Sequence, residues 1–219
     1  MIEFENVTFS YPDGQTLFKD LSLKFAQGTF SLVKGHSGTG KSSMLKLMNR
    51  LEEPQTGEIR FKGKPLQSYA PQVLRTSILY IQQIPIVING SVKDNLLLPF
   101  DFKSNRDSEK PDDNQLVEFM DEFRLKNINL DHNATALSVG QLQRICLIRG
   151  LLLSPEVILL DEPTSALDEE SCRIVESSVE RLFHESGRTV IMVSHKKFEP
   201  EKITPVVLEL VDGQIREVE

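Results

Sequence analysis

The chain has 219 residues, 39% hydrophobic and 26% charged, which suits one compact domain with a buried core and excludes a disordered chain. With 25 Lys and Arg against 32 Asp and Glu, the net charge is −7, which argues against a broad, sequence-independent grip on nucleic acid but leaves room for a local basic pocket. No run approaches the ~18 consecutive apolar residues of a membrane helix. The acidic, alternating start Met1-Ile2-Glu3-Phe4-Glu5 is unlike a signal peptide, and Cys146 and Cys172 lack the number and spacing of a disulfide framework. The expectation is a chain with two reduced thiols that meets a membrane only through a partner.

Residues 2–9 alternate imperfectly and predict an irregular strand, closed by the turn Tyr11-Pro12-Asp13-Gly14. Thr29 to Lys34 is an apolar-rich run that enters a glycine-rich loop. Met44, Leu47, Met48 and Leu51 then recur at helical spacing. Residues 56–61 and 78–81 read as strands, and 101–114 as an exposed polar loop. Leu116, Phe119, Met120 and Phe123 mark an amphipathic helix. A second helix is predicted over 141–153, a buried strand over 157–160, a helix over 168–183 and another buried strand over 189–193. Two runs, 206–211 and 214–218, flank Asp212-Gly213 as a terminal hairpin. Strands alternating with helices argue for an α/β fold whose sheet is parallel at its centre.

Gly35-His36-Ser37-Gly38-Thr39-Gly40-Lys41-Ser42 fits G-x-x-x-x-G-K-[ST], after a strand and before a helix. Such a loop curls so that backbone N–H groups point inward at phosphate oxygens, and the helix N-terminus adds its dipole. Gly35, Ser37, Gly38, Gly40, Lys41, Ser42 and Ser43 form the expected nucleotide-holding set. Lys41 brings charge to the β and γ phosphates, and the Ser42 hydroxyl is placed for Mg²⁺. Further on, the apolar strand Val157-Ile158-Leu159-Leu160 ends in Asp161-Glu162. The carboxyl end of a central strand is where α/β sheets bind ligands. Asp161 is the expected Mg²⁺ partner, through water, and Glu162 the group that polarises an attacking water. Ser138 with Gln141 three positions on, before an apolar helical run, makes a capping-box pattern.

Leu137-Ser138-Val139-Gly140-Gln141, 23 residues before Asp161 counting from Ser138, resembles the LSGGQ signature of the ATP-binding-cassette (ABC) ATPases. Ser165-Ala166-Leu167-Asp168 resembles that family's D-loop, His195 its switch histidine, and Gln83 in Tyr80-Ile81-Gln82-Gln83-Ile84-Pro85 its Q-loop glutamine. Tyr11 resembles the aromatic that stacks on adenine. The pattern holds from about residue 2 to residue 215. The resemblance implies a P-loop NTPase of the ABC-ATPase fold: a mainly parallel central sheet, an N-terminal antiparallel β sub-domain and a helical sub-domain, roughly residues 84–137, within a single domain of residues 1–219. It implies ATP and Mg²⁺ as cofactors, with Gln83 a metal contact beside Ser42 and Asp161. Glu162, His195 and Gln83 would be catalytic. Ser138, Gly140, Gln141 and Asp168 would act across a head-to-tail homodimer.

The implied activity is ATP hydrolysis that drives a separate permease subunit, from the cytoplasmic face of the membrane. Residues 95–100 and the compact length resemble the iron-exporter group within that family. The alternative is a soluble ABC ATPase acting on DNA or the ribosome, which the acidic charge and the lack of a coiled coil disfavour. Val139 stands where the signature carries glycine, tolerable only if that backbone keeps negative φ. His36, His132 and His184 are read as spectators.

Overall fold

The computed structural model describes residues 1–196 and 198–218. Four strands, β1 (Ile2–Ser10), β2 (Thr16–Phe25), β4 (Thr56–Phe61) and β5 (Lys64–Pro65), form an antiparallel sheet in the order β2-β1-β4-β5. Between β2 and β4 the chain runs through β3 (Phe30–Lys34) and α1 (Lys41–Met48). The second sheet has the order β10-β9-β3-β8-β7-β6, with β6 (Ile78–Ile81), β7 (Val157–Asp161), β8 (Thr189–Val193), β9 (Val206–Val211) and β10 (Gln214–Glu217). Every pairing from β9 to β6 is parallel, and β10 adds an antiparallel edge.

β2 has no counterpart among the expected strands, and the reason lies in its pattern. Leu17 and Phe18 are both buried, and the alternation slips at Asp20, which holds φ 52°. β1 slips in the same way at Asn6, φ 50°, where its register to β2 shifts. Such bulges flip the inward set of a strand by one position. α2 (Pro71–Ser77) and α3 (Val92–Leu97) are further elements beyond the expected ones. The polar segment 101–114 is less open than expected. It begins in 3-10 turns, and Asn105 is buried there, its amide donating to the Pro99 carbonyl at 2.9 Å. Residues 84–137 carry α3, α4 (Asp113–Glu122) and short 3-10 turns, and α5 (Val139–Leu151) and α6 (Glu169–Ser186) follow.

Alternation along the parallel strands divides the interior into two layers. Ile78, Val157 and Leu159 join Met44, Leu45 and Met48 of α1 and the inner face of the antiparallel sheet. Ile81, Ile158 and Leu160 join α3, α4, α5 and α6 on the opposite side. Leu159 is fully buried in the first layer, so Leu159→Ala should destabilise the fold by about 2–5 kcal/mol, the range for a truncated core leucine. Urea denaturation measures this, with a lowered midpoint and an unchanged slope expected.

Candidate active site

Four neighbouring parallel strands deliver the site from their carboxyl ends. The loop 35–40 leaves β3, Asp161 closes β7, Ser194 and His195 follow β8, and Gln83 follows β6. This is where open α/β sheets place ligands. Lys34, Gly35, Ser37, Glu162, His195 and Glu209 are among the residues lining a cleft of about 710 Å³ there.

The loop is wound tightly onto its surroundings. Gly40 caps α1 at φ 101°, and a side chain there would meet the Phe18 ring at 2.9 Å. No side chain caps α1 and no acid lies in its first turn, so its leading N–H groups remain free for an anion. The Lys41 ammonium is buried and donates to the Gly35 and His36 carbonyls, both at 2.9 Å. Ser37 and Gly38 form the tip of the loop. Ser43 is also buried, and its hydroxyl lies 2.6 Å from the Tyr11 hydroxyl. Tyr11 thus sits against α1, edge-on to Phe9 at 5.4 Å between ring centres.

Asp161 and Glu162 take separate directions. Asp161 shares the face of Val157 and Leu159, which is the α1 face, and its Oδ1 accepts from the Ser42 hydroxyl at 2.8 Å. Its Oδ2 accepts from the Tyr80 hydroxyl at 2.7 Å. Burial and the hydrogen bond to Asp161 push the Tyr80 phenol well above its ordinary pKa, so it remains a donor. Glu162 lies at φ 46°, in the left-handed region, and so leaves the strand. Its Oε2 lies 2.9 Å from His195 Nδ1 and 3.5 Å from Gln83 Nε2. Gln83 also donates to the Ser165 hydroxyl at 3.0 Å. Lys196 ties the same region together by donating to the Thr164 carbonyl at 2.8 Å.

Ser138, Gly140, Gln141 and Asp168 gather elsewhere. Among the described residues no hydrogen bond joins 138–141 to the loop 35–43 of the same chain. Ser138 caps α5: its hydroxyl accepts from the Gln141 N–H at 3.3 Å, and the Gln141 side chain accepts from the Ser138 N–H at 2.8 Å. Asp168 caps α6, accepting the Ser171 N–H at 2.9 Å and the Ser171 hydroxyl at 2.8 Å. Those bonds, the N–H first, hold the Asp168 carboxyl below its usual pKa. Gly140 brings the two helix starts together, because a side chain there would lie 2.8 Å from Ser171 Oγ. Val139 is helical with negative φ and half exposed, so its branched side chain meets no left-handed backbone strain.

The family model described as ABC transporter matches residues 18–165. The chain belongs to the ABC transporter family. It is 33% identical to the probable iron export ATP-binding protein FetA of Escherichia coli K12, over 99% of this chain and 95% of that protein. It is equally identical to ABC transporter I family member 17 of Arabidopsis thaliana, over 99% of this chain and 81% of that one. A dimeric post-hydrolysis structure of the ATP-binding cassette MJ0796, bound to ADP and Pi, superposes with a TM-score of 0.85 at 26% identity, covering 100% and 98% of the two chains. This ABC protein is therefore an ATPase built on the ABC cassette, as its motifs imply.

Lys196 entered the site unread, and Tyr80 and Ser165 entered it from quoted motifs without a role of their own having been assigned. Tyr80 lies inside a quoted motif, but its partner is 81 residues away and meets it only through strand register. Both cysteines are free, and burial pushes the Cys146 thiol up, which keeps it protonated. Removing the cap hydroxyl with Ser138→Ala should cost about 1 kcal/mol of stability, and Ser138→Asn should recover most of it. Chemical denaturation of the two variants checks this.

Proposed function

We propose that this ABC protein binds ATP with Mg²⁺, closes head to tail on a second copy of itself, and hydrolyses ATP to drive a separate permease in the membrane. The convergence of Lys41, Ser42, Asp161, Glu162, His195 and Gln83 at adjoining strand ends supports this reading above all. The uncapped start of α1 and the curled loop receive the phosphates. Lys41 would exchange the Gly35 and His36 carbonyls for β and γ oxygens. The Ser42 hydroxyl and the Asp161 carboxylate are hard oxygen donors, the type that Mg²⁺ takes beside phosphate, so these residues fit the cation. Bound there, it would neutralise charge developing on the transferred phosphoryl group.

Glu162 is the group we assign as general base. Its carboxylate faces the cleft beside the loop, and His195 and Gln83 both reach its Oε2. The phosphate's far side is left to Ser138, Gly140 and Gln141 of a second copy, with Asp168 setting the geometry of that contact. Tyr11 would flank the adenine, its hydroxyl moored on Ser43.

Partner docking is assigned to the segment after Gln83. Ile84, Ile86 and Ile88 are 73%, 61% and 40% exposed, an apolar row at alternate positions. That row is pinned from beneath: Arg149 donates to the Ile86 carbonyl at 2.9 Å, and the Asn95 amide accepts from the Ile88 N–H at 2.8 Å and donates to its carbonyl at 3.1 Å. No helix among the described residues is long and apolar enough to cross a membrane. We assign the path to a separate permease subunit, and this chain to the cytoplasmic side, held peripherally. The similarity to FetA supports a transporter of the same metal-export class, with the cargo recognised by the partner.

Glu162→Gln removes the base and keeps the shape. ATP binding should persist, turnover should fall by about 10²–10⁴, and a nucleotide-trapped dimer should accumulate. Steady-state phosphate release and size-exclusion chromatography with ATP read both effects. Turnover at the wild-type rate refutes the role given to Glu162.

A further inference from the structure

Asp161 is only 5% exposed, and each of its two carboxylate oxygens has one hydroxyl donor. Those two donors are not equivalent. Ser42 lies on the strand-to-helix loop and is itself a cation ligand in the reading above, on which this inference rests. When its oxygen turns a lone pair to the cation it can still donate its proton to Oδ1, but its position is then set by the cation as well as by Asp161. Tyr80 is held by Asp161 alone, independently of the cation. It stands on β6, whose register places Tyr80 beside Leu159, on the same face as Asp161 two residues along β7. Its ring packs against the core layer around α1, and its hydroxyl ends at Oδ2.

A carboxylate turns readily about its terminal bond, because that torsion is broad and two-fold. Held at one oxygen only, Asp161 could present either oxygen, or both, to the cleft. Held at Oδ2 by a donor on a rigid strand, it presents Oδ1 on the Ser42 side. Strand pairing does not need this bond, since β6 and β7 are already paired in parallel from Ile78–Val157 to Ile81–Leu160. Phenylalanine would fill the same space, so the hydroxyl itself calls for an explanation.

We propose that Tyr80 is a positioning residue for the cation site: its hydroxyl fixes Oδ2 of Asp161 and so reserves Oδ1, beside Ser42, for the magnesium that accompanies ATP. Tyr80 does not touch the nucleotide and acts only through Asp161.

The test is Tyr80→Phe in the full chain, titrated with Mg²⁺ at fixed ATP, with binding of a fluorescent ATP analogue and phosphate release as separate readouts. The Mg²⁺ midpoint should rise on the order of tenfold, the loss typical when a partner of a metal ligand is removed. Binding of the analogue in EDTA should be unchanged, and turnover at saturating Mg²⁺ should recover towards wild type. Tyr69→Phe is the control for loss of a half-buried phenol hydroxyl. That group donates to the Phe61 carbonyl at 2.9 Å, outside the site, and its removal should leave the midpoint alone. An unchanged midpoint in Tyr80→Phe overturns the inference. So does an equal shift in Tyr69→Phe, which would mark a general loss of packing. A wild-type chain whose ATP binding ignores Mg²⁺ would instead overturn the proposed cation site itself, and the role of Tyr80 with it.

Discussion

The hydrogen bond between Ser42 and Asp161 spans 119 residues and joins the first turn of α1 to the last residue of β7. Its existence depends on strand parity. β7 is buried on both faces, so its five residues are all apolar or buried and carry no polar mark of which way they face. The direction of Asp161 is set by counting: Val157, Leu159 and Asp161 look toward α1, while Ile158 and Leu160 look toward the helices on the other side. A slip of one residue would aim the carboxylate at that second layer, away from the loop. The parallel register of β7 to β6 and to β8 therefore fixes the site as much as the loop does.

Glu162 shows how two adjacent acids avoid sharing one place. Continuing the strand would have pointed Glu162 to the opposite side of the sheet, into the helical layer. The left-handed φ of 46° turns the chain out at the carboxyl end of the sheet, where the carboxylate meets His195 and Gln83. A non-glycine residue in that region costs roughly 1–2 kcal/mol. The Glu162 N–H, donating to the Val193 carbonyl at 3.0 Å, helps hold it there. Strain kept at a site residue is a known companion of function. Here it buys a position that no relaxed strand residue could reach.

What could be read from the sequence was local. The phosphate loop, β4, β6, β8 and the terminal hairpin carry their own signals in a few consecutive residues, and the capping box at Ser138 is written in four. α3 went unread although it carried a similar local signal, a reciprocal capping box of Ser91 and Asp94 before an apolar run. β2 was hidden because its bulge at Asp20 breaks the period on which strand recognition depends. The partnerships of Tyr80 with Asp161 and of Gly140 with Ser171 were out of reach for another reason. Each joins residues remote in sequence, and neither residue type announces its partner. Gly140 reads as a phosphate-side glycine in the signature, yet within one chain its missing side chain already serves the packing of α5 on α6.

That packing sets two capped helix starts side by side, and their caps differ in what they leave over. Asp168 spends both oxygens on Ser171 and offers only negative charge to anything beyond. Ser138 accepts a bond from the Gln141 N–H, but its own hydroxyl proton is not consumed by the cap. A hydroxyl is both donor and acceptor, so Ser138 can hold α5 together and still donate to a phosphate oxygen. The Gln141 side chain is occupied with the Ser138 N–H and so does not compete for that hydroxyl. The structural and ligand-binding roles of the signature serine therefore do not exclude each other. Of the two adjacent helix starts, that of α5 is the one whose cap keeps a hydroxyl proton free, which suits the contact proposed with a second copy.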